Sequence, residues 1–215
     1  MATYLECVND VLVRLREDEV NTVTANAYSK LIGKFVNDSK RQVENAWTWE
    51  ALYDTINVTT SASTEEYTVA GSGRKFRVSS VIDDTNDAIL EAVTLDHLDR
   101  LTQLSTSQTG GPSFYAFSGS DGTDTKVRLY PIPDGIYTIK FNLFIPQADL
   151  SADGDIILMD NDLVVQGAYA RAIVERGEDG GITSNEAYQL FRSMMADLIS
   201  MESTRSGDQS IWVAC

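Results

Sequence analysis

The chain has 215 residues, 32 of them acidic and 17 basic, for a net charge of −15; that balance excludes the usual electrostatic grip on nucleic-acid phosphates. With 43% apolar and 23% charged residues the composition is globular rather than disordered. At this length folding buries roughly 70% of the unfolded surface without help from a disulfide or metal, and no apolar run approaches the roughly 20 residues of a membrane span.

The first residues, MATYLECVND, lack the basic and apolar regions of a secretory signal, so none is expected. From Thr3 to about Asp18, Leu5, Val8, Leu12 and Leu15 recur at helical spacing, with Thr3 placed to cap. A second helix is expected from Asn26 to near Trp47, with Tyr28, Leu31, Ile32, Phe35, Ser39 and Val43 as its stripe. Pairing the two helices hides both stripes. After Trp49 the period changes. Residues 52–60, 65–69 and 75–82 are rich in Val, Ile, Thr and Tyr and predict strands, with Ala70-Gly-Ser-Gly73 as a hairpin-type turn. A short strand over Ile89–Val93 and a small helix around His97 follow. Three more strands are expected over 113–117, 126–130 and 137–145, separated by the turn-forming segments 118–123 and 131–135.

The helical period returns after Leu150. Asp160 to about Glu178 carries Leu163, Val164, Gly167, Ala168, Ala170 and Val174, a small-residue face that admits a close neighbour. Glu178-Asp-Gly-Gly181 is expected to stop it. Thr183 or Ser184 then caps a last helix, with Glu186 completing a capping box, and Ala187, Leu190, Phe191, Met194, Leu198 and Met201 as its packed side. The expected fold class is therefore α+β: N- and C-terminal helices forming a bundle, and a central antiparallel β-sandwich or barrel-like domain. The boundaries are 1–50 with 151–205 for the helical domain, 51–150 for the β-rich domain, and 206–215 for a C-terminal docking tail.

Sites of chemistry are sparse. His97 is the only histidine, so a Ser-His-Asp or Cys-His arrangement, and nearly every zinc site, would have to run through it. A surface or helix-end histidine is the plainer reading. Cys7 and Cys215 lie almost at opposite ends and form no disulfide framework; two reduced thiols are expected, with one disulfide between the termini as the other reading. Gly71-Ser-Gly73-Arg-Lys75 lacks phosphate-loop spacing. Asp149, Ser151, Asp153, Gly154 and Asp160 approximate a calcium loop. Against calcium, the preceding segment is strand-like and ends in Pro146, and Asp160 is better placed as a helix cap. The expectation is no catalytic residue, no cofactor and no metal. Trp47 and Trp49 are expected to pack over a junction between elements rather than form a ligand platform. Ile211, Trp212 and Val213 stand out in a polar tail and predict docking on a partner or a neighbouring subunit, with self-docking as the other reading.

Several short motifs in a fixed order resemble the head-to-tail adaptors of short-tailed phages (podoviruses), also called tail tubular protein A. They are Trp47-Thr-Trp49-Glu-Ala-Leu52, Val58-Thr-Thr60, Tyr67-Thr-Val69, Gly111-Pro-Ser-Phe-Tyr115, Val127-Arg-Leu-Tyr-Pro131-Ile-Pro133, and Pro146 with Leu150-Ser151. An Ala-rich helix and a final helix close the match; Val69-Ala-Gly-Ser-Gly73 departs from it where the family often has a Leu-Pro turn. The resemblance implies a virion protein of the phage neck, assembled in the host cytoplasm, without catalysis. It implies a ring, typically a dodecamer, between the portal protein and the tail nozzle protein, with tail fibres as a further contact and DNA passing through unbound. The helical part would face the portal and the β part the nozzle. Charge fits such a conduit, because acidic walls repel phosphates. Bases and acids number 6 and 8 over residues 1–50, 7 and 13 over 51–150, and 4 and 11 over 151–215. The acid-rich C-terminal segment or a β-domain loop is thus expected to line the channel. A soluble ligand- or carbohydrate-binding β-module with helical decorations is the alternative function.

Overall fold

In chain order the elements are helices α1 (Tyr4–Arg14) and α2 (Ala27–Ala46), strands β1 (Tyr53–Thr59), β2 (Glu66–Val69), β3 (Arg77–Asp83), β4 (Ala88–Ile89) and β5 (Glu91–Ala92), and helix α3 (Leu95–Gln103). Strands β6 (Phe114–Ser120), β7 (Thr125–Tyr130) and β8 (Thr138–Phe144) and helices α4 (Asn161–Arg176) and α5 (Ile182–Ser203) complete them. The computed structural model describes residues 2–104, 106–177 and 182–205. The class is α+β, with helices before and after a sheet region. The chain separates into two units: Met1–Ala51 with Gln147–Cys215, and Leu52–Pro146.

In the first unit each helix begins where the sequence supplies a cap. Thr3 and Glu6 form a reciprocal capping box: the Glu6 amide donates to Thr3 Oγ1 at 3.2 Å and the Thr3 amide to Glu6 Oε2 at 2.7 Å. Asn26 and Ser29 do the same for α2. Helix α1 stops at Arg14, short of the expected Asp18, because Arg16 turns left-handed at φ 60°. The buried face of α2 is rotated from the expected stripe. Ile32, Val36 and Val43 are buried, whereas Tyr28, Leu31 and Phe35 are only half-buried. Asp160 caps α4, its Oδ1 accepting from the Leu163 amide at 2.9 Å. The stop comes at Gly177, left-handed at φ 65°, one residue before the expected Glu178–Gly181, which lies outside the described residues. Helix α5 starts at Ile182, ahead of Thr183 and Ser184, where its start was expected.

Helix α4 is the hub, packed against α1, α2 and α5. Leu163, Val164, Val165, Ala168, Ala170 and Ala172 are all buried, so it is enclosed on several sides rather than amphipathic. Gly167 sets the closest approach. A Cβ there would stand 2.2 Å from Ser39 Oγ on α2 and 2.8 Å from the Phe191 ring on α5. On α5, Ala187 and Phe191 are buried, but Leu190 and Met201, expected in the core, are exposed.

The second unit is a sandwich of two four-stranded sheets, ordered β1-β8-β3-β4 and β2-β7-β6-β5. Every pairing is antiparallel except β5 with β6, which is parallel. Alternation along β8 buries Ile139, Phe141 and Leu143. These meet Val58, Val69, Val81, Tyr115, Val127 and Leu129 in one core shared by both sheets. The segment 70–76 is not a hairpin: β2 pairs with β7 while β3 pairs with β8, so this connection crosses between sheets. The expected strand over 89–93 is likewise split. Leu90 turns inward, 4% exposed, with β4 in one sheet and β5 in the other. Helix α3 seats Leu98 on Ala116 and Tyr130.

Candidate docking surfaces

The sequence-predicted positions fall as follows. His97 is exposed at the start of α3, its ring edge-on to Phe114 at 6.4 Å. Cys7 is buried and unpaired, and desolvation, reinforced by nearby carboxylates including Asp10, pushes its thiol up to about 12. It is a packed thiol rather than a nucleophile. Trp49 is 7% exposed and donates its indole N–H to the Val43 carbonyl at 2.7 Å, folding back over the end of α2. Trp47, the half-buried C-cap of that helix, takes an extended backbone. Ile211, Trp212, Val213 and Cys215 lie outside the described residues.

Around the calcium-like loop Asp153, Asp155 and Asp160 hold backbone amides, while Asp149 faces the Arg41 guanidinium at 3.6 Å. Asp153 Oδ1 accepts from Val23 at 2.9 Å, and Asp155 Oδ2 from Ser151 and Ala152 at 2.7 and 2.8 Å. These two bonds hold the Asp155 carboxyl below its ordinary value. The loop runs beside α1, whose Tyr4 and Leu5 amides donate to the Asp155 and Asp153 carbonyls. Among the described residues no three His, Cys, Asp or Glu side chains gather to hold a metal.

Sequence reasoning missed a polar ladder on α2. Asn37, Lys40 and Glu44 stand on one face and grip the extended segment that follows Pro146. Asn37 Oδ1 accepts from the Leu150 amide at 2.8 Å and its amide nitrogen donates to the Leu150 carbonyl at 3.0 Å. Lys40 Nζ donates to the Gln147 and Ala148 carbonyls at 2.7 and 3.1 Å and pairs with Glu44 Oε1 at 3.2 Å. The two charged side chains are 0% and 1% exposed. Burial raises the Glu44 carboxyl above its ordinary value, against the pull of Lys40. An i, i+4 Lys/Glu pair ordinarily signals a solvated helix face. Here the usable signal is that Asn37, Lys40 and Glu44 follow the i, i+3, i+7 line beside Val36 and Val43.

Besides a groove of about 610 Å³ at Leu12, Glu17, Tyr28 and Arg176, two open grooves remain on this unit. One, of about 380 Å³, lies below Trp49, lined by Val43, Leu158, Met159, Leu198 and Met201 and rimmed by Asp160 and Glu202. The other, of about 550 Å³, is lined by Phe35, Ala170, Val174 and Tyr188 over Arg171. Val174 is 66% and Tyr188 44% exposed there, a large apolar display for a helical surface. The arrangement offers contact area. Among the described residues no helix is long and apolar enough to cross a membrane.

A family model described as SU10 adaptor protein matches residues 2–211, nearly the whole chain across both units. The chain belongs to the SU10 adaptor protein family. It is thus a phage adaptor, a structural component of the virion. No curated protein sequence matches it. Family membership suits the surfaces just described, since an adaptor acts by presenting faces to other phage head and tail proteins.

Proposed function

We propose that the chain forms a ring joining the portal vertex to the tail nozzle, as the tail tubular protein A adaptors of podoviruses do, and encloses the DNA during ejection. The family match across 2–211 carries this reading. In it, residues 1–50 and 151–205 form the portal-facing domain and 51–150 the nozzle-facing one. The tail 206–215, with Ile211, Trp212 and Val213, docks on the portal or on the adjacent copy, and tail fibres contact the β-rich domain. A dodecamer is the stoichiometry the resemblance implies. The acid-rich C-terminal segment, or a β-domain loop such as that of Asp121 and Asp124, lines the channel, where like charge keeps the duplex from adhering.

Negative-stain microscopy of the purified chain, alone and mixed with the portal protein of the same phage, tests this reading. The expected image is a portal particle carrying a second tier. Portal particles unchanged at micromolar chain would refute it. A ring whose lumen is basic would refute the channel assignment separately.

A further inference from the structure

Arg171 is the cation of the first unit that lacks a counter-charge where one would be expected. It lies mid-way along α4, half-buried, its guanidinium donating to the Gly167 carbonyl at 3.1 Å and to Gln42 Oε1 at 2.5 Å. Both acceptors are neutral. Among the described residues it joins no ion pair: Asp38 is paired with Arg41, and Glu175 on the groove rim stands beyond ion-pair distance. Desolvation lowers its pKa from the ordinary value, outweighing the opposing pull of Asp38 and Tyr188. Arg176, one turn further on, contrasts with it, binding Glu17 and the Tyr28 hydroxyl. Directly over Arg171 lies the groove of Phe35, Ala170, Val174 and Tyr188. Its matching occupant is an apolar or aromatic anchor with a carboxylate a few residues away.

The sequence holds such a segment. Asp208 precedes Ile211, Trp212 and Val213 by a few positions. We propose that the α2–α4–α5 groove over Arg171 receives Asp208–Val213 from a second copy of this chain, with Asp208 on the guanidinium and Trp212 against Phe35, Val174 and Tyr188.

Reach makes the contact between Asp208 and Arg171 intermolecular. At 1.5 Å per residue along α5, Tyr188 is roughly 25 Å from Arg205. Three extended residues from Arg205 to Asp208 cover roughly 10 Å, so a chain's own Asp208 falls far short of its own Arg171. The groove below Trp49 is within reach of the same tail, but its lining cation, Arg205, is already paired with Glu202, so among the described residues it offers Asp208 no unpaired positive charge. Tail into groove joins unlike surfaces, and a heterologous contact propagates until rotation closes it. It therefore presupposes the ring proposed above, and gives that ring its subunit-to-subunit link.

The test uses two full-length variants. Val174→Glu blocks the groove at an exposed position and leaves the tail intact; Trp212→Ala removes the anchor and leaves the groove intact. Sedimentation is followed up to about 100 μM, which populates a contact of about 10 μM Kd. The wild-type chain is expected to associate beyond the dimer, each variant alone to stay monomeric, and the equimolar mixture to give one-to-one dimers. Arg171→Glu is expected to weaken association at least tenfold, with Asp208→Arg restoring it in the same chain. A monomeric wild type, variants that associate as the wild type does, or a mixture that stays monomeric would each overturn the proposal. The same proteins are scored for portal capture. Trp212→Ala losing portal capture from a wild type that does not self-associate assigns the tail to the portal, leaving the adaptor reading intact and this one refuted. Loss of capture by the wild type itself fails the adaptor reading instead.

Discussion

Gly167→Ala tests the helix packing at its tightest point. An added Cβ would meet Ser39 Oγ at 2.2 Å and the Phe191 ring at 2.8 and 3.0 Å, all well inside van der Waals contact. Ser39 can relieve its share by rotating, since its hydroxyl is buried without a hydrogen-bond partner. Phe191 cannot, because the ring is 1% exposed and must push α5 away from α4. Overpacking of this kind costs about 3 kcal/mol at the upper end. Alanine recovers about 1 kcal/mol of helix propensity over glycine. The net expectation is a loss of about 2 kcal/mol, or about 8 °C in melting temperature for a unit of this size. Thermal and guanidinium unfolding followed by circular dichroism reads it directly. Ser39→Ala added to Gly167→Ala should recover part of the loss, while the steric share at Phe191 persists. A Gly167→Ala chain as stable as wild type would refute the close approach of the three helices.

Two further perturbations probe the polar contacts. Lys40→Met leaves Glu44 buried and uncompensated and should cost about 3–5 kcal/mol, whereas Lys40→Met with Glu44→Leu should recover most of it; equal losses in both, by chemical denaturation, would show that the pair acts only through its backbone partners. Asp155→Asn should destabilise the chain above pH 3.8, the ordinary value of that carboxyl, because its folded value is held lower by two backbone amides. The difference from wild type should shrink as pH falls through that lower value, and a difference independent of pH would remove the ionised carboxylate from the explanation.

The elements were legible wherever local chemistry decides. Thr3 and Asp160 announce helix starts through side chains that reach only three residues, and both cap as expected; Asn26, expected only as the start of α2, caps that helix as well. The strands rich in β-branched residues were equally clear. What could not be read was pairing. The glycines at 71 and 73 do adopt positive φ, as a hairpin would need, but they serve a crossover because β7 and β8 outcompete the sequence neighbours. Leu90 likewise belongs to neither flanking strand, a fact fixed by the core it enters rather than by its own propensity. Lys40 and Glu44 were invisible as buried groups because their partners are backbone atoms of the distant segment 147–148. Arg171 was hidden for the opposite reason: what marks it is a missing partner, and no pattern in the sequence encodes that.

The ends of the second unit have a bearing on how the chain folds. Strands β1 and β8 pair along their whole length, from Tyr53 opposite Phe144 to Thr59 opposite Thr138, and the Ile145 amide donates to the Leu52 carbonyl. The unit thus leaves and rejoins the helical unit through adjacent backbones. For the helical unit, bringing α2 to α4 would mean closing a loop of roughly 100 residues. Once β1 and β8 have paired, the same closure spans only a short connection. The slow, non-local search is then confined to the sandwich, and the helices assemble as though their contacts were local.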